Sequence, residues 1–330
     1  MLSETIFLKR GFSGYSFFLK KTKRIHNRKS KSLNNSGLKI CSLLIGFVLL
    51  FSSCRDLVQS EFPAFAPVPA INSILAADSL FRVHVSLAGR IDSNQLDLID
   101  NAEVELFIDG QFKETLDYTG QGIYSSTTIV EPLKNYVCEV AIPGFQKLSC
   151  RQSVPQAATI SEIVHINQAG KDPEGFTYPA IKFTFNNNPF EKQYFEVAIK
   201  MIKHGYELQP DLTTITDPVL LNEGLPIALF SNELIGGDSY TMTINYLTGS
   251  GGSSGTNLYP LLVELRTLSY DYYKYVRQLY LYEKGRSPDF GSGLTAFPLY
   301  SNIEGGYGIF AGYSAVVSDT INPNQFSGKK

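Results

Sequence analysis

Tryptophan is absent from the 330 residues, and histidine, cysteine and methionine are scarce at four, four and three. Each shortage excludes some chemistry. A structural zinc site needs about four nitrogen or sulfur ligands. The histidines beyond the N-terminal region are His84, His165 and His204, and no two stand at metal-ligand spacing. His84 and His165 fall in predicted strands, where a lone histidine reads as structural. Trp is the largest flat face for stacking on a sugar, so its absence weakens a dedicated glycan-binding reading, although 19 tyrosines remain. No apolar stretch reaches the roughly 20 residues of a membrane-spanning helix.

Catalytic motifs are missing in the same way. The serines of Gly251–Gly255 lack the strand-turn-helix setting of a nucleophile elbow. Asn302–Ser314 is glycine-rich but has no Lys-Ser/Thr of a phosphate loop, and it leads into a predicted strand. Asp92-Ser-Asn94-Gln-Leu-Asp97 offers oxygens to a calcium ion but not the glycine and closing glutamate of an EF-hand, so it reads as a solvated loop. A carboxylate pair for glycoside hydrolysis would meet only in the fold. The expectation is no catalytic residue, no metal and no cofactor: not an enzyme.

What is present begins with the N-terminus. Residues 1–39 carry ten Lys or Arg against the single acid Glu4, and Ile40–Phe51 follows as 12 residues without charge. Basic region, short apolar core and small residues before a cleavage point are the parts of a secretory signal. Here Ser52-Ser53 precedes Cys54, the small-small-Cys arrangement of a lipoprotein signal. Residues 1–53 are therefore read as a signal peptide. Cys54 is read as the lipidated first residue, carrying acyl chains such as palmitate, and residues 54–67 as a tether. The basic region is unusually long, which predicts translation from a non-Met codon downstream of Met1.

Removing 1–53 takes ten of 29 basic and one of 31 acidic residues, so the remainder has a net charge of −11. An acidic surface repels phosphate backbones, and nucleic acid is excluded as a partner. It also opposes adhesion to anionic lipid, leaving the acyl chains as the membrane attachment.

From Phe81 onward, short alternating runs are punctuated by turn residues. Phe81–Gly89, Ala102–Ile108 and Tyr136–Ile142 alternate with period two, and Asp109-Gly110 reads as a tight hairpin turn. Strands at this spacing predict a mainly β chain of two tandem β-sandwich, immunoglobulin-like domains, at 68–155 and 156–330. Further strands are expected at 160–167, 181–186, 194–202, 227–230, 240–247 and 259–267. Pro143-Gly144 places Cys138 and Cys150 opposite each other across a hairpin. In an oxidising compartment they form a disulfide; otherwise they are two buried free thiols. One segment has helical signals: Ser269 as N-cap, Asp271 in the first turn and Lys284-Gly285 at the end. A single amphipathic helix is predicted over 269–284, packed through Tyr272, Val276, Leu279 and Tyr280. Its tyrosines read as core packing, with an aromatic ligand platform as the alternative.

Several stretches resemble the Bacteroidota lipoprotein family called domain of unknown function 4249. They are Asn101–Leu106 with Asp109-Gly110, Gly122-Ile-Tyr124, Tyr136–Val140 and Pro143-Gly144-Phe145, then Leu268–Val276. The most specific is Asn302-Ile-Glu-Gly-Gly-Tyr-Gly-Ile-Phe-Ala-Gly-Tyr-Ser314. The resemblance implies an outer-membrane lipoprotein, often encoded beside a TonB-dependent transporter, with no established activity and no site residues to carry over. Surface-exported relatives tend to have an acidic cluster after the cysteine, where this chain has Arg55-Asp56. The expected function is a non-enzymatic accessory lipoprotein that docks on such a transporter or another envelope partner. The alternative is ligand capture (glycan, peptide or metal complex) in an aromatic pocket near Tyr307 and the helix tyrosines. A hydrolase is the least supported reading.

Overall fold

The computed structural model describes residues 66–89, 96–248, 258–285 and 297–323. Cys54 lies outside them, as do most of the tether, Asp92–Gln95 and the glycine-serine stretch 249–257. The described residues belong to one compact unit, Ala64–Lys330.

The first half holds β1 (Pro69–Ala76), β2 (Leu80–Leu87), β3 (Asp97–Leu98), β4 (Glu103–Ile108), β5 (Gln111–Thr115), β6 (Asp117–Gly120), β7 (Ile123–Ile129), β8 (Asn135–Ala141) and β9 (Leu148–Ser153). Alternation decides which side chains enter the core. Val104 and Leu106 of β4 and Tyr136, Cys138 and Val140 of β8 are buried, while their neighbours are at most half-buried. Asp109 and Gly110 both take positive φ, 50° and 81°, as the predicted two-residue turn between β4 and β5 requires. The order β5-β4-β8-β9 makes a four-stranded sheet. It packs against β1, β2 and β7, with Phe81 stacked 6.0 Å from Tyr136 across the interface.

The second half contains β10 (Ile160–Lys171), β11 (Thr177–Asn186), β12 (Tyr194–Lys203), β13 (Tyr206–Leu208), β14 (Leu229–Ser231), β15 (Ser239–Asn245), β16 (Leu261–Leu268) and β17 (Tyr307–Val317). Helices α1 (Pro218–Glu223) and α2 (Tyr270–Gly285) complete it. The three-stranded sheet β10-β11-β15 faces β12 and β16. Phe185 fills the space between them, 5.2 Å from Phe195 and 5.8 Å from Phe230.

The expected β-sandwich class is what the structure has, and the expected division at 155/156 falls between β9 and β10. Its connectivity is another matter. One ten-stranded sheet runs through both halves in the order β13-β12-β16-β17-β1-β2-β7-β6, with β14 also paired to β12 and β3 to β2. The link is β17, antiparallel to β16 on one side and parallel to β1 on the other, from Ala70 opposite Tyr307 to Ala76 opposite Tyr313. Thus Ile303 and Phe310, late in the chain, lie in the first half's core.

Two further differences concern helices. The predicted 269–284 helix is present at Tyr270–Gly285, and Ser269 Oγ accepts from Tyr272 N at 3.3 Å in a capping bond. Its packing face is Tyr272, Tyr273 and Val276; Leu279 and Tyr280 are half-buried. It is not the single helix expected, since α1 was unforeseen. Six residues are too few to show a helical period. The local signals are nevertheless there: Asp217 caps Val219 N at 3.0 Å, Pro218 opens the helix, and Gly224 closes it in the left-handed conformation.

Gly308 is where the two halves meet most closely. It has φ +115°, and a Cβ there would lie 1.8 Å from the carbonyl oxygen of Ile71 on β1. Backbone cannot yield as a side-chain tip can. Gly308→Ala is expected to lower stability by well over the ~1–3 kcal/mol of backbone strain alone. Gly110→Ala, strained in φ but facing open space, should cost about 1–2 kcal/mol. Urea unfolding of both variants checks the ranking.

Candidate functional site

Three places hold the polar and aromatic groups from which a site would be built. The first is the junction under α2. Ser269 is the pivot: its N donates to the carbonyl of Gly312 at 2.8 Å, and its Oγ accepts from Gly312 N at 3.1 Å. The helix is thereby fixed to β17. Tyr272 stacks on Tyr313 at 5.6 Å, and the Arg266 guanidinium lies 5.2 Å from the Tyr313 ring. Tyr273 packs 4.7 Å from Tyr194 and donates its hydroxyl to Glu223 at 2.5 Å. Burial raises the pKa of both Tyr272 and Tyr273 above that of ordinary tyrosine. These tyrosines pack and bond within the protein, which withdraws them from an open aromatic platform. Tyr307 is exposed at the start of β17, five residues from Gly312. That is roughly 16 Å along a strand, too far to share a pocket wall with the helix start.

Two acidic groups at this junction bear on the hydrolase reading. Glu196 and Glu264 are joined through Arg266, which donates to Glu196 at 2.9 Å and to Glu264 at 2.6 Å. Lys200 also pairs with Glu264. Burial opposes ionisation of Glu264, but Lys200 and Arg266 outweigh it and hold the carboxyl below its usual range. A general acid needs the opposite shift. Two carboxylates neutralised by two cations have the chemistry of a structural cluster. Glu223 is likewise spoken for. It accepts from Ser231 N, Ser231 Oγ, Tyr273 and Arg277, and so ties α1, β14 and α2 together.

The second place is a cleft of about 410 Å³ at one end of the first half, between the β4–β5 turn and the segment leading into β8. Ile108, Phe112 and Ile129 supply an apolar wall; Lys113, Glu131 and the Asp109–Lys134 ion pair, 2.8 Å apart, supply charge. Hydrogen bonds from Lys134 and from the backbone of Asn135 hold Asp109 below the usual carboxylate range. Tyr136 lies at the base with its hydroxyl bonded to the backbone of Glu131. Neither Phe112 nor Lys134 stood out in sequence, because the cleft joins a hairpin strand to a loop about 20 residues further on. The only local signal was the Asp109-Gly110 turn.

The third place is the buried histidine of the second half. His165 Nδ1 is 2.8 Å from Asn167 Oδ1, and Nε2 is 2.8 Å from the Tyr246 hydroxyl. The amide oxygen only accepts, so Nδ1 carries the proton and Tyr246 donates to Nε2. This neutral, fully paired imidazole is the structural histidine expected. Among the described residues there is no group of three or more His, Cys, Asp or Glu able to hold a metal ion.

The cysteines fall as the hairpin argument places them. Cys138 pairs directly with Cys150 in the β8–β9 register. Both are buried thiols, the alternative to a disulfide, with Cys150 Sγ donating weakly to the Cys138 carbonyl at 3.5 Å. A disulfide needs its Cβ atoms about 3.5–4.5 Å apart, whereas directly opposed strand residues sit at about 4.5–5.5 Å. Bridging requires a small local closure. Burial pushes the Cys150 thiol well above its ordinary pKa.

A pH dependence follows from the histidines. Burial lowers the pKa of both His84 and His165 in the folded state. The unfolded chain takes up protons near pH 6.5, and the folded chain only below that. Stability is therefore complete above about pH 6.5 and is lost as the pH falls beneath it. The urea midpoint is expected to be lower at pH 5 than at pH 7.5, and the difference should shrink in His165→Gln.

Comparison with known proteins gives a family. No curated protein matches the chain. A solved structure of a Corynebacterium diphtheriae protein described as membrane anchored aligns with 63% of this chain at 9% identity and a TM-score of 0.20. The chain spans 56% of that protein's length. A family model described as "Domain of unknown function (DUF4249)" matches residues 58–318, covering both halves and the shared strand β17. The chain belongs to the DUF4249 family.

Proposed function

We propose that the protein is a lipid-anchored, non-enzymatic accessory protein of the outer membrane. It is held by acyl chains on Cys54, and its β-rich body docks on an envelope partner such as a TonB-dependent transporter. The observation that carries this reading is Ser52-Ser53-Cys54 at the end of a 12-residue apolar core behind a basic region. No helix among the described residues is long and apolar enough to cross a membrane, which is compatible with attachment by lipid. The carboxylates examined for catalysis are committed to neutralising Arg and Lys, which favours a binding role over hydrolysis.

A second reading is ligand capture, and the cleft beside Phe112 is what favours it. Its volume suits a small ligand, and Ile108, Phe112 and Ile129 beside Asp109, Lys113, Glu131 and Lys134 give it a polar lining with one apolar wall. A glycan, a peptide or a metal complex are its candidates.

Cys54→Ser should leave the unfolding midpoint unchanged and move the protein from the membrane to the soluble fraction. A variant that stays membrane-bound would remove the anchor. Affinity purification of the wild-type chain from solubilised membranes is expected to recover a β-barrel partner, and recovery of none would remove the docking reading.

The thiol pair reports the compartment. Directly opposed thiols exported to an oxidising envelope are expected to bridge. Protein taken from the envelope and unfolded without reductant should then titrate no thiol at Cys138 and Cys150; protein kept reducing should titrate both. Two free thiols in envelope material would contradict the oxidising location.

A further inference from the structure

We infer that the β11–β12 loop bearing Phe190 grips a partner protein that offers an apolar socket with a basic rim. This rests on the docking reading above and names its contact point. Phe190 is 93% exposed, the most exposed large apolar side chain among the described residues. A single exposed apolar residue is ordinary on a protein surface. The way this one is held is not.

The loop is fixed from beneath by buried amides. Asn188 Oδ1 accepts from Phe190 N at 3.1 Å, and Gln193 Oε1 accepts from Asn188 N at 2.8 Å. The buried Asn232 side chain donates to the carbonyls of Asn188 and Glu191, at 3.0 and 2.9 Å, and to Asn187 Oδ1 at 2.9 Å. Buried Asn187 in turn donates to the carbonyls of Ile235 and Gly237. Two loops are thus locked together by a satisfied polar network, and an aromatic ring is left standing in water. A loop backbone held in this way has already lost freedom that binding would otherwise cost. Aromatic rings seated in well-packed pockets are the side chains that dominate protein interfaces.

The surroundings choose the occupant. Leu234, 54% exposed, follows Asn232 on the adjoining turn and widens the apolar contact. Glu191, Glu233 and Asp238 are exposed on the same two loops, and the neighbouring Lys192 lies over the Tyr194 ring at 6.0 Å. An acidic rim is repelled by anionic headgroups, which disfavours insertion of Phe190 into a membrane. It complements a protein pocket edged with Lys or Arg.

The test uses the full chain in intact cells. Benzoylphenylalanine is placed at position 190 and, as a control, at position 206, where Tyr206 is 73% exposed on β13. Irradiation is expected to give one dominant protein adduct from position 190 and several-fold less from position 206. The adduct is identified by mass, and that protein is purified. Its affinity for Phe190→Ala should be at least tenfold weaker than for wild type with the unfolding midpoint unchanged. Phe190→Leu should fall between them, and added salt should weaken wild-type binding as the rim is screened. Adducts to lipid alone, equal yields at the two positions, or wild-type affinity in Phe190→Ala would each overturn the inference. If wild type still recovers a partner in those cases, docking stands and only this contact point fails. If wild type recovers no partner, both fail.

Discussion

The parallel pairing of the first strand with the last is the constraint on which the rest of the molecule depends. Parallel neighbours cannot be joined by a tight turn. Here the whole intervening chain serves as the crossover, and β17 lies between β1 and β16. The pairing demands close backbone approach at Gly308 and sends Phe310 into the first core. It brings Gly312 within reach of Ser269, whose two bonds set the start of α2. Contacts of such long sequence separation are slow to form.

Much of the molecule's polar chemistry serves this junction. Asp271 at the start of α2 takes hydrogen bonds from Gln152 of β9 and from Tyr300, and so touches the first half from the second. Arg266 sits between two carboxylates and an aromatic ring, and the Glu223 carboxylate accepts four bonds from β14 and α2. Charges removed from water are tolerable only when paired and bonded in this way. The tyrosine-rich helix, which in sequence could have been a ligand platform, is a clamp whose Tyr272 and Tyr273 rings pack on Tyr313 and Tyr194 of the sheet. The cleft beside Phe112 and the exposed loop of Phe190 lie outside this junction.

The strands that were legible in sequence are those with one wet face. β4, β8 and the β4–β5 turn alternate cleanly, and the same rule placed Cys138 opposite Cys150. Ser269 and Gly285 marked the second helix by end chemistry. Elements carrying no such signal were harder. α1 is too short to show a period. β1 follows a proline-rich stretch and lies inside the expected first domain but ahead of Phe81, where the expected strands begin. The cleft and the Phe190 loop depend on which turns lie side by side, which is not a local property. Asn187, Asn188 and Asn232 read as loop polarity, although two of them are buried supports.

The sequence by itself determined the charge and much of the secondary structure, and it raised the expectation of attachment at Cys54. Each is set by residues within a few positions of one another: small residues before Cys54, acids outnumbering bases beyond it, alternation along a strand, an oxygen at a helix start. Only the tertiary structure decided that the two halves share one sheet, that Tyr272 and Tyr273 are taken up by packing, and that Phe190 stands exposed on a hydrogen-bonded loop. These rest on backbone and side-chain contacts between residues 40 to more than 200 positions apart. Burial and hydrogen bonding across such distances exist only once the chain has closed on itself.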